Sequence, residues 1–220
     1  MLTVLKKDKL VAIFRKVPNE SAIQTAEAVV RGGIKFIEIT MDAPDADQQI
    51  KNVIAHFKEQ DVYVGAGTVL NESMAQKAID AGAEFLVSPN LDEAIVSFSR
   101  ENDIPMFPGV LTPTEAEQAN QLGCSFVKIF PAGSMGASYI KNLKGPLSHI
   151  DFMATGGVNL DNITSFIDNG AAAIGLGSQL VNLTKIEQGD FTAIVARPPP
   201  LVKKKAKGPR SAAPLLFMRM

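Results

Sequence analysis

The strongest constraint on this chain is an alternation. Short apolar runs of strand length recur at 11–14, 36–39, 62–66, 85–87, 105–108, 126–129, 152–154 and 172–176. Between them lie stretches at 21–31, 45–59, 74–81, 93–101, 114–122, 139–143 and 161–169 whose apolar residues fall three or four positions apart. In the first, Ala22, Ala26, Val29 and Val30 make one stripe; in the second, Ile50, Val53, Ile54 and Phe57 do. Strands alternate faces at every residue and helices return about every 3.6, so this pattern predicts eight strands covered by helices. Punctuation agrees. Asn71 and Thr112 stand where N-caps belong, and Pro113 takes a first helical position. Gly32-Gly33, Gly82, Gly123 and Gly170 follow helices, where the backbone often turns left-handed. Eight βα units in about 190 residues predict an α/β fold, a single (β/α)8 TIM barrel. An open doubly wound sheet is the alternative. Its first βα turn would carry a glycine-rich fingerprint, and here that turn reads Arg15-Lys16-Val17-Pro18-Asn19.

The barrel domain is expected over 1–196, and the remainder, 197–220, breaks the pattern. Pro198-Pro199-Pro200 stops any helix. The tail holds seven of the chain's 22 basic residues and none of its 23 acidic ones, so the body carries 15 basic and 23 acidic residues, a net charge of −8. An acidic body argues against nucleic acid as a partner. The tail reads as a poorly ordered extension appended to the barrel rather than a polybasic membrane or nucleic-acid arm. No apolar run nears the roughly 18 residues of a membrane span, so no membrane partner is expected. The N-terminus lacks a signal-peptide pattern, and Cys124 is the single cysteine. A cytoplasmic protein is the expectation.

Two charges interrupt the apolar strands. In Phe36-Ile37-Glu38-Ile39-Thr40, Glu38 shares a face with Phe36 and Thr40; in Phe126-Val127-Lys128-Ile129-Phe130, Lys128 shares one with Phe126 and Phe130. The opposite faces are aliphatic and should meet the helices. Both charges therefore point into the barrel, from the second and sixth strands. Alternate strands fill the same interior layer, so the two can approach each other. A structural salt bridge is the competing reading. Polar residues at the other strand ends, Arg15, Thr68, Ser88-Pro89 and Thr155 among them, favour an active site, which this fold builds at that end. A lysine out of water more readily supplies the neutral amine that attacks a ketone, and a nearby carboxylate can move the protons.

Thr155-Gly156-Gly157 and Gly177-Ser178 follow the seventh and eighth strands, where this fold often binds phosphate. Glycines let backbone N–H groups approach an oxyanion, and a following helix N-terminus would help. Gly65-Ala66-Gly67-Thr68 lacks the ending of a P-loop and reads as a close backbone approach presenting Thr68. No metal and no other cofactor is expected, because His56 and His149 lie far apart without ligand spacing. Cys124 reads as a small buried hydrophobe.

On these residues the chain resembles the 2-keto-3-deoxy-6-phosphogluconate (KDPG)/4-hydroxy-2-oxoglutarate (KHG) aldolase family. The pieces that carry it run from about residue 11 to 180. They include Ile37-Glu38-Ile39-Thr40, Gly65-Ala66-Gly67-Thr68, Ser88-Pro89-Asn90, Lys128-Ile129-Phe130-Pro131-Ala132 and Thr155-Gly156-Gly157. The resemblance implies a homotrimeric class I aldolase acting on a small 2-keto acid. Lys128 would form the Schiff base and Glu38 would be the acid/base. Arg15, Thr40, Thr68, Ser88, Pro89 and Thr155 would contact substrate, and Gly156, Gly157, Gly177 and Ser178 would hold phosphate. Two positions depart from the pattern. Asp42 stands where many members carry arginine and should repel an anionic substrate; Asn90 stands where many carry glycine. The substrate is expected to be a 2-keto-3-deoxy-6-phospho sugar acid. Preference for 4-hydroxy-2-oxoglutarate or the galactonate epimer, and a non-catalytic phosphate-binding barrel, remain alternatives.

Overall fold

The computed structural model describes residues 1–195, so the basic tail lies outside the described residues. Nine parallel strands form the sheet: β1 (Leu10–Phe14), β2 (Phe36–Thr40), β3 (Tyr63–Gly67), β4 (Leu86–Val87), β5 (Met106–Phe107), β6 (Gly109–Val110), β7 (Phe126–Ile129), β8 (Asp151–Thr155) and β9 (Ala173–Leu176). Their order is β5-β4-β3-β2-β1-β9-β8-β7-β6. The fifth strand, expected over 105–108, runs past its proline in two pieces, because Pro108 lies between them and has no N–H to donate. β5 pairs with β4 and β6 with β7, so one short run of chain serves both neighbours and closes the barrel around eight staves.

Helices α2 (Ala22–Arg31), α3 (Ala46–His56), α4 (Glu72–Asp80), α5 (Glu93–Glu101) and α6 (Pro113–Gln121) follow the first five staves. The caps fall where the sequence puts them. Asn71 accepts from the N–H of Met74, and Thr112 with Glu115 makes a capping box behind Pro113. Gly33, Gly82, Gly123 and Gly170 all have φ near +90 to +100°, the left-handed turn that only glycine takes cheaply. Among the described residues no helix is long and apolar enough to cross a membrane.

Strand periodicity divides the core in two. Ile37, Ile39, Val127 and Ile129 face outward into the large layer between sheet and helices. Phe36, Phe85, Phe107 and Phe126 face inward, with Val11, Val87 and Met153. The four rings run as a chain across the barrel, with successive centroids 6.2, 5.6 and 4.9 Å apart. They form the floor of the interior. A helix that sequence periodicity does not announce, α1 (Leu2–Asp8), closes the barrel from below, and its Leu5 is buried against this floor. One strand turn above the floor the inward positions become polar.

Candidate active site

Glu38 and Lys128 stand two residues beyond Phe36 and Phe126, on the same inward face. Glu38 has no solvent exposure and Lys128 has 3%. The Lys128 Nζ lies 3.9 Å from Glu38 Oε1, close enough for strong attraction but too long for a hydrogen bond. Among the described residues, neither carboxylate oxygen of Glu38 has a hydrogen-bond partner, and nor does the buried hydroxyl of Thr155. A buried pair kept only for structure needs close contact and satisfied lone pairs. This one has open acceptors instead, which suits groups that exchange protons with a third molecule.

Two glycines make the arrangement possible. A side chain at Gly67 would begin 2.0 Å from Glu38 Oε1, and one at Gly175 would begin 2.5 Å from the Thr155 hydroxyl. The bare β3 and β9 backbones are therefore the space that these two groups occupy. At Gly65, two residues earlier on β3, a Cβ would come within 2.5 Å of the Phe85 ring. The Gly65-Ala66-Gly67 segment thus does more than present Thr68.

Above Lys128 opens a cavity of about 590 Å³. It is lined by the buried Lys128 and Thr155, by the exposed Phe130 ring, by Gly156, Gly157, Gly177 and Ser178, and by Arg15 and Asp42. Lys128 Nζ sits 5.2 Å from the centroid of the Phe130 ring, within cation–π reach. The loops are packed backbone to backbone. Gly133 donates to the Gly156 carbonyl at 2.7 Å, and Asn162 donates to that of Gly157 at 3.0 Å. Gly156 and Gly157 both have positive φ, a conformation that glycine adopts at little cost. The expected helix dipoles contribute less than the sequence suggests. The helices after these loops, Ile163–Asp168 and Leu183–Glu187, start several residues later and are short. Backbone N–H groups and the Ser178 hydroxyl remain as the donors.

Arg15 and Asp42 form an ion pair, Nη1 to Oδ2 at 3.0 Å, while Arg15 Nη2 donates to Thr68 Oγ1 at 3.3 Å. Sequence reasoning read Asp42 only as a repulsive charge; in the fold it is the partner of Arg15. Thr68 holds its position with φ of +54°, an uncommon conformation for a branched residue. Four expected contact residues, Thr68, Thr40, Ser88 and Pro89, do not line the cavity; Thr68 meets it only through its bond to Arg15. Thr40 is buried and gives its hydroxyl to the Phe14 carbonyl at 3.1 Å. Ser88 is buried and gives its own to the Asn90 carbonyl at 2.5 Å. Pro89 backs onto Gly109, where a Cβ would come within 2.2 Å of its carbonyl. The last three shape the wall behind the site. Phe130, Lys16 and Gln179, which do line it, are among the additions; Phe130 shares the face of Lys128 and is legible on that ground, while nothing in the sequence singles out Lys16 or Gln179.

The remaining polar candidates lie elsewhere. His56 pairs with Glu27 and His149 with Glu117 on the surface. Among the described residues no three of His, Cys, Asp and Glu gather as a metal site would need. Cys124 lines a separate cavity of about 340 Å³ at the other end of the barrel, with Leu2 and Phe126. Burial pushes its thiol up to about 11.

The sequence matches the family described as KDPG and KHG aldolase over residues 1–197. A 2-dehydro-3-deoxy-phosphogluconate aldolase of Treponema pallidum (strain Nichols) is 32% identical, covering 89% of this chain and 94% of its own. A 2-dehydro-3-deoxy-6-phosphogalactonate aldolase of Escherichia coli (strain K12) is 34% identical over 78% of this chain and 83% of its own. Among solved structures, a KDPG aldolase from Legionella pneumophila, described with pyruvate captured at low pH as a covalent carbinolamine intermediate, superposes with a TM-score of 0.82. It is 27% identical and covers 88% of this chain and 94% of its own.

Proposed function

The chain belongs to the KDPG and KHG aldolase family and is an aldolase, a lyase; we propose that it reversibly cleaves a 2-keto-3-deoxy-6-phospho sugar acid to pyruvate and glyceraldehyde 3-phosphate through a Schiff base on Lys128. One observation carries this reading: a lysine and an unsatisfied carboxylate, both buried, 3.9 Å apart beneath the cavity. The covalent pyruvate adduct described for the Legionella relative supports it.

The neutral Lys128 Nζ attacks the C2 ketone, and loss of water gives an iminium. Glu38 takes the proton of the C4 hydroxyl as the C3–C4 bond breaks. The bonding electrons move into the iminium, leaving a pyruvate enamine and the free aldehyde. Protonation at C3 and hydrolysis then release pyruvate. A positioned acid/base group of this kind is worth about 10²–10⁴ in rate. The Thr155 hydroxyl, buried without a hydrogen-bond partner among the described residues and lining the same cavity as Lys128, binds the substrate. Arg15 takes the carboxylate. The phosphate sits against Gly156, Gly157, Gly177 and Ser178, where backbone donors need no counter-cation.

Incubation with KDPG should release pyruvate and glyceraldehyde 3-phosphate in equal amounts, and Lys128→Met should release neither. Activity surviving in Lys128→Met would overturn the assignment. The relatives are named for both the gluconate and the galactonate substrates, so the epimer is the second reading, with 4-hydroxy-2-oxoglutarate a third. Comparing kcat/KM on the three substrates separates them, and Ser178→Ala should weaken only the phosphorylated ones. We further propose a cytoplasmic homotrimer, which light scattering tests as three times 23.5 kDa.

A further inference from the structure

Arg15 is not a free cation waiting at the rim. Its two terminal nitrogens are both engaged, Nη1 by Asp42 and Nη2 by Thr68. A guanidinium grips a carboxylate best through two parallel N–H donors. A substrate carboxylate that binds Arg15 in this way finds another carboxylate, that of Asp42, on the donor it needs. Both residues line the cavity, so the exchange can occur without opening the fold. The Arg15 side chain is 52% exposed and that of Asp42 27%. An ion pair so wetted is weak and readily exchanged.

We propose that Asp42 tunes keto-acid affinity as an internal competitor that stands in for the keto-acid carboxylate on Arg15 and must be displaced when substrate binds. This rests on the aldolase mechanism above and deepens it. The competition acts on the carboxylate end of the substrate alone, because the phosphate lies against the glycine loops. Asp42 therefore sets how much keto acid the enzyme requires, without touching the atoms that react.

The experiment is steady-state condensation of pyruvate with glyceraldehyde 3-phosphate by the wild type, Asp42→Asn, Arg15→Ala and the double variant. Asp42→Asn should lower the KM for pyruvate about two- to five-fold, the range set by exposed ion pairs. The shift should appear in KM more than in kcat, leave the KM for the aldehyde phosphate alone, and vanish when Arg15 is already alanine. An unchanged or raised pyruvate KM in Asp42→Asn overturns the proposal. So does an equal fall in the Arg15→Ala background, which would mean that Asp42 acts through the general field of the cavity. Borohydride trapping of pyruvate on the wild type, run on the same preparation, keeps the two ideas apart. No adduct sinks the Schiff-base mechanism, whereas an adduct with no KM shift sinks only the role of Asp42.

Discussion

Gly67→Ala is the smallest change that should disable this site. The added Cβ would lie 2.0 Å from Glu38 Oε1 and 2.6 Å from its Cγ and Cδ. Unstrained carbon contacts start near about 3.5 Å, so the carboxylate has to retreat by more than about 1 Å. Glu38 has no exposed surface to retreat into, and protein interiors are packed like crystals. The methyl group should therefore cost about 1–3 kcal/mol of stability as overpacking. Misplacing a reacting group by about 1 Å costs on the order of 100-fold in rate, so kcat for cleavage should fall by about that much. The assay is pyruvate release under saturating substrate, alongside urea denaturation. Two backgrounds make the argument specific. Against Glu38→Asp, one methylene shorter, Gly67→Ala should cost far less activity than it does against the wild type. Against Glu38→Ala, which vacates the contested volume, it should cost little stability. A Gly67→Ala enzyme within about three-fold of wild type, or one destabilised equally in all three backgrounds, would refute the claim that Gly67 is the seat of the carboxylate.

Other consequences are simpler to test. Leu5→Ala removes the plug under the phenylalanine floor; large-to-small core changes of this kind cost about 2–5 kcal/mol, visible in denaturation while kcat at 25 °C holds. Glu38→Gln should lower kcat by about 10²–10⁴ yet still let pyruvate be trapped by borohydride, because the lysine remains. The Cys124 thiol ionises near 9 once unfolded and near about 11 when folded. The unfolded chain loses its proton first, so stability should decline as pH rises between those values. Cys124→Ala should flatten that decline, and a thiol reagent at pH 8 should label the folded protein only as fast as it unfolds.

Much of this molecule is legible in the sequence because the two periods carry different information. Period two placed Glu38 with Phe36 and Lys128 with Phe126, and the same rule delivers the aromatic floor and the charged layer above it. Helix caps such as Thr112 and turns such as Gly123 are short-range chemistry and read directly. What escapes is whatever depends on a distant neighbour. Leu5 belongs to a short helix whose role appears only once the barrel it plugs exists. Pro108 reads as the end of a strand, although the chain resumes beyond it to pair on the other side. Thr40 shares the inward face by sequence and Ser88 stands at a strand end, but both spend their hydroxyls on nearby carbonyls. Asp42 reads as a repulsive charge until Arg15, 27 residues away, is seen to hold it.

The central claim is that Lys128 is the nucleophile. Incubating the protein with pyruvate and borohydride, digesting it and weighing the peptides measures that directly. The expected result is one reduced pyruvate per chain, carried on the peptide that contains Lys128, and none on Lys128→Ala. An unmodified wild-type protein, or an adduct that persists in Lys128→Ala, would contradict it.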